Sequence, residues 1–138
     1  MIASLRVEPA GFVMAFAARP GTVGTARRLA GVLLERWGFG DDVTGRAQLA
    51  VTELLTNVAR HAAVPDCTLH LQPVRDGVRI AVADEDPRLP VVREPSWDSE
   101  SGRGLFLLTH SVDAWGGEQR RTGKSVWVLV RPGPADAA

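Results

Sequence analysis

Glu53, Asn57 and His61 stand four residues apart in a chain of 138 residues. On a helix, that spacing stacks a carboxylate, an amide and an imidazole along one line. Counting ~100° per residue from Val43, Glu53 falls at about 280°, Asn57 at about 320° and His61 at about 0°. Ala47, Ala50, Val51, Leu54, Val58 and Ala62 fill the adjoining stripe, so the polar line follows the edge of an apolar face. Polar groups beside a core need partners, because unpaired burial costs several kcal/mol. Caps or water can supply those partners at a plain boundary. A ligand cleft can supply them too. There the amide and a carboxylate suit Mg²⁺, a hard cation that takes oxygen ligands and bridges to substrate phosphates. A carboxylate one turn away suits a general base.

Two further places could do related chemistry. The apolar run 78–83 leads directly into Asp84. A carboxylate at a strand end can accept a hydrogen bond from an exocyclic amine. It can equally start a turn or cap a helix. Ser101-Gly102-Arg103-Gly104-Leu105 opens a short helical stretch. Two glycines let backbone approach a phosphate closely, and a helix N-terminus favours negative charge. An ordinary loop can carry the same glycines. Here they close the long Pro-, Gly- and charge-rich segment 88–103, and long unstructured loops are as a rule functional or disordered.

The elements around these residues follow from periodicity and punctuation. The spacing predicts a strand over 12–18, ended by Pro20 and Gly21, then a helix over 22–37. Val23, Ala26, Leu29, Ala30, Leu33 and Trp37 can share one face of that helix. Asp41 or Asp42 can cap a second helix running to about Ala62. Strands are expected over 67–74 and 78–83, joined by Arg75-Asp76-Gly77 as a hairpin turn. A short helix over 104–111 and strands over 113–119 and 124–130 complete the order. In the last strand Val126, Val128 and Val130 alternate with Ser125, Trp127 and Leu129. Helices and strands do not alternate strictly, which disfavours a doubly wound parallel sheet. The expected architecture is an α+β two-layer sandwich: one mixed, mainly antiparallel sheet with helices on one face. The expected domain organisation is a single domain over 1–138, with its core at about 11–131.

Composition narrows the function class. Sixteen basic and sixteen acidic residues give a formal net charge of zero, without the broad positive field of a nucleic-acid binder. Cys67 is the only cysteine, so neither a disulfide within the chain nor a cysteine-based metal cluster is expected. No apolar run approaches the ~20 residues of a membrane span. Residues 1–10 carry no signal-peptide core. A cytoplasmic protein is therefore expected. Arginine outnumbers lysine heavily, which reads as coding bias.

Glu53-Leu54-Leu55-Thr56-Asn57, Asp84 and Gly102-Arg103-Gly104-Leu105 together resemble the three boxes of the GHKL, or histidine-kinase-like, ATPases with a Bergerat fold. Val51-Thr52-Glu53-Leu54, His61-Ala62, Pro87-Arg88-Leu89-Pro90 and Gly123-Lys124-Ser125-Val126-Trp127 resemble the small anti-sigma-factor serine kinase branch. The likeness runs from about Pro20 to Val130. It implies ATP and Mg²⁺ as ligands. It matches Asn57 to the Mg²⁺ ligand, Glu53 to the general base and Asp84 to the reader of the adenine amine. It matches Gly102 and Gly104 to the phosphate loop, and Ser125 to a hydroxyl near the adenine. Segment 88–103 corresponds to the ATP lid. His61 and Arg103 receive no fixed role.

The implied function is a protein serine kinase that phosphorylates an anti-anti-sigma antagonist and sequesters a sigma factor. Neither direct nucleic-acid binding nor membrane binding is implied, and a homodimer is admitted. The sequence departs from the family at its middle box. Asp84-Glu85-Asp86-Pro87 replaces the usual Asp-x-Gly-x-Gly, so Asp86 adds negative charge near a polyphosphate, which is unfavourable unless it is turned away or metal-bound. The alternative is a binding module on the same fold that acts through protein contacts with little or no nucleotide. Trp37, Trp115 and Trp127 read as core or boundary residues, and Trp97 as a residue of the lid. Arg27-Arg28 and Arg120-Arg121 read as solvated surface pairs.

Overall fold

A computed structural model describes residues 2–8, 11–89 and 103–133. Among them, the chain forms β1 (Ile2–Glu8), β2 (Gly11–Ala17), α1 (Pro20–Arg36), α2 (Asp41–His61), β3 (Asp66–Val74), β4 (Gly77–Asp84), α3 (Arg103–Ser111), β5 (Ala114–Arg120) and β6 (Gly123–Val130). The strands make one sheet in the order β1-β2-β3-β4-β6-β5. Every neighbouring pair is antiparallel, so no parallel pair occurs among the described residues.

Period-two alternation divides the sheet into two faces. Phe12, Met14 and Phe16 of β2 register with Leu71, Leu69 and Cys67 of β3. Those register in turn with Ile80, Val82 and Asp84 of β4, and then with Val128, Val126 and Lys124 of β6. All twelve side chains of these rows are buried. α2 covers this face over β4 and β6, and α1 and α3 pack against α2. Val43, Ala47, Ala50, Val51, Leu54, Leu55 and Val58 are the buried residues of the α2 stripe that the helical period selects.

Several local expectations need correction. β1 adds a strand to the expected order, and it pairs along β2 with Leu5 opposite Met14 and Arg6 opposite Val13. Pro20 does not merely end β2; it starts α1, where its missing N–H costs nothing. Thr22 secures that start by accepting from the Arg19 amide at 3.0 Å. The N-cap of α2 is Gly40, with Asp41 and Asp42 in the first turn, where their charge favours the helix dipole. Trp115 is exposed, at 39%. Trp127 lies on the sheet face away from the helices, with the Arg79 guanidinium 5.6 Å from its ring. Trp97 falls outside the described residues.

Candidate functional site

α2 is held at both ends. Near its start, Arg46 donates to Asp42 at 2.7 Å, to the Ser111 carbonyl at 3.2 Å and to Asp113 at 3.3 Å. It also reaches the Arg131 carbonyl, just beyond β6. At its finish, the His61 carbonyl accepts from Arg88 at 3.1 Å. Arg88 belongs to the segment that follows β4. The C-terminal half of α2 therefore lies toward the end of the sheet that carries Asp84 and Lys124. That half contains Asn57.

Glu53 and Asn57 are half-buried, as the helical wheel requires, while His61 is exposed. Gly104, in the first turn of α3, stands against the Glu53 carboxylate. A Cβ added there would overlap Glu53 Oε2. Glycine is thus the residue that lets this helix end approach the carboxylate. Gly102 and most of the expected lid, residues 90–102, lie outside the described residues. So does the side chain of Arg103.

Asp84 ends the cross-sheet row Phe16–Cys67–Asp84–Lys124 on the helix-covered face. Its Oδ1 accepts from Lys124 Nζ at 3.0 Å and from the Asp86 amide at 2.8 Å. Lys124 also donates to the Asp86 carbonyl at 3.1 Å. Both side chains of this ion pair are almost fully buried. Gly123 makes room for the arrangement. Its φ of 98° favours glycine, and a Cβ there would meet the Asp84 carbonyl. A cavity of about 710 Å³ opens at this end, lined among others by Phe16, Cys67, Asp84, Glu85 and Arg120. Glu53 and Asn57 are not part of that lining.

Lys124 is the partner of Asp84 that sequence reasoning missed. The strand alternation held the signal, since Lys124 falls in phase with Val126, Val128 and Val130. Ser125 falls in the opposite phase. It registers with Ala83 and faces a groove with Thr68, His70 and Arg79 on the uncovered side of the sheet. The structure therefore does not bring Ser125 to Asp84.

Asp86 also resolves locally. Its carboxylate pairs with Arg88 at 2.8 Å. The Arg88 guanidinium and amide hold its carboxyl well below the usual carboxylate range. The added negative charge is thus neutralised within the loop. Burial pushes the Cys67 thiol up to about 12, with the charges of Asp84 and Asp66 adding to the effect.

The arrangement offers a carboxylate beside a glycine helix start, an amide one turn further along, and a buried acceptor at the sheet end. No group of three His, Cys, Asp or Glu residues among the described residues could hold a metal ion. A cation here would rest on Asn57 and on oxygens of the ligand. No helix among the described residues is long and apolar enough to cross a membrane.

An uncharacterised protein of Streptomyces coelicolor is 39% identical over 80 residues, covering 55% of this chain and 76% of the relative. The histidine kinase-like ATPase domain matches residues 16–130, which include every described element from α1 to β6. The chain belongs to the histidine kinase-like ATPase family.

Proposed function

We propose that the chain works as one ATP-binding regulatory domain that phosphorylates a serine of an antagonist protein and, when that antagonist is absent, sequesters a sigma factor. The observation that carries the nucleotide part is the placement of Gly104 against Glu53, with Asn57 one turn further toward the Asp84 end. The family membership supports ATP as the ligand. The sigma factor and its anti-anti-sigma antagonist rest on the sequence resemblance. A homodimer is compatible with this reading.

Each residue has a task in this reading. Glu53 accepts the proton of the incoming serine hydroxyl as the oxygen attacks the γ-phosphorus and the bond from that phosphorus to the β–γ bridging oxygen breaks, releasing ADP. Gly102 and Gly104 let backbone N–H groups approach the transferring phosphoryl group at the α3 N-terminus, where negative charge is favoured. The Asn57 amide oxygen would hold Mg²⁺, which supplies charge neutralisation at the phosphates. The donor chemistry fits, because Mg²⁺ takes oxygen ligands and keeps phosphate oxygens among them. Asp84 faces the base end.

The test is phosphate transfer from labelled ATP to candidate antagonist proteins, read as phosphoserine by mass spectrometry. Wild type should label one of them. Glu53→Ala should lower the rate by about a hundredfold or more. Equal labelling by the variant would remove Glu53 from the role of base.

The Lys124–Asp84 pair favours a second reading, in which the domain acts through protein contacts with little nucleotide turnover. ATP binding without transfer to any partner would support it.

A further inference from the structure

Lys124 is the only lysine in the chain, although sixteen residues are basic. It is 5% exposed, and its partner Asp84 is 6% exposed. Burying two charges costs desolvation, and such a pair is often no more stabilising than apolar residues of the same volume. Stability therefore does not account for a lone lysine here. What the pair does change is the hydrogen-bonding state of Asp84.

A site rejects an analogue that lacks a hydrogen-bonding group when that analogue leaves a buried polar group of the site unpaired. Asp84 is paired before any ligand arrives. Its Oδ1 already accepts from a cation and from a backbone amide. An amine arriving at Oδ2 meets a carboxylate whose charge is compensated, and without the amine that carboxylate still keeps its cation and its amide donor on Oδ1.

We infer that Lys124 is the specificity-determining residue of the base end: its ammonium takes on Asp84 the place of a purine 6-amino group, so the protein discriminates little between ATP and a purine nucleoside triphosphate lacking that amine. This rests on reading Asp84 as the residue that meets the base. Lys124 acts on the ligand through Asp84.

The experiment compares ATP with purine riboside triphosphate, which carries hydrogen at position 6, by calorimetry in the presence of Mg²⁺. Wild type should bind the two within about threefold of each other. Lys124→Thr should favour ATP by about tenfold or more, because Asp84 then needs the amine as its donor. Lys124→Gln keeps a neutral donor beside Asp84 and guards against failure of the threonine variant to fold. Its preference should fall between the two.

Lysine labelled with ¹⁵N gives one side-chain signal in this protein. That signal should show slow proton exchange in the wild type, and fast exchange would mean that the pair does not hold. Two results would overturn the assignment. One is a wild type that already prefers ATP by more than about tenfold, and the other is a preference unmoved in both variants. If ATP also binds wild type and weakens in Asn57→Ala, only the lysine assignment fails. If neither nucleotide binds any form, the nucleotide reading fails with it.

Discussion

Gly104 leaves no space for a side chain beside Glu53: a methyl group at its Cα would overlap the carboxylate. The α3 N-terminus and the carboxylate of α2 are thereby fixed relative to one another. A proton acceptor and the first turn of α3 then stand in one close arrangement. That is what transfer of a charged group needs, because misplacement by about 1 Å can cost a hundredfold in rate.

Gly104→Ala should therefore displace either Glu53 or the start of α3. Phosphoryl transfer should fall by about a hundredfold, comparable to Glu53→Gln. Circular dichroism should show the fold retained. A loss below about threefold would mean that this contact does not set the position of the base.

Cys67 should be inert in the folded protein. Burial and the charges of Asp84 and Asp66 push its thiol up to about 12, so the nucleophilic thiolate is scarce at neutral pH. Iodoacetamide at neutral pH should leave the native protein unmodified and alkylate it once unfolded, as read by intact mass. Equal native and denatured labelling would contradict the buried row Phe16–Cys67–Asp84–Lys124.

Asp86 should titrate below an ordinary aspartate, because Arg88 favours its charged form. Its folded value is depressed, so the contribution of this contact is present above the unfolded carboxylate value of ~3.9. It is lost only as pH falls further, through the folded value. Carboxyl NMR should place the Asp86 midpoint below that of a model aspartate, and Arg88→Gln should raise it. A normal midpoint in the wild type would mean that the Arg88 contact does not hold Asp86.

Much of this arrangement is legible in the residues themselves. The α2 stripe from Val43 to Val58 declares both the helix and the edge on which Glu53 and Asn57 sit, because a period near 3.6 needs no tertiary information. Asp84 is readable as a strand end for the same local reason. β1 is harder, because its alternation of Leu5 and Val7 with Ser4, Arg6 and Glu8 is short and gains meaning only from pairing with β2. The Asp84–Lys124 contact depends on β4 pairing with β6 across α3 and β5, a separation of 40 residues that no local pattern specifies. The face of Lys124 was nonetheless written in the valine alternation that follows it. Ser125 was placed by motif likeness, and the same alternation sends it to the other face.

The central claim is tested most directly by titrating ATP into the protein with Mg²⁺ by calorimetry, beside Asn57→Ala. The account predicts saturable one-site binding that weakens about tenfold or more in the variant, because Asn57 would hold the cation that bridges to the phosphates. Absence of binding at millimolar ATP, or identical affinity in the two proteins, would contradict it.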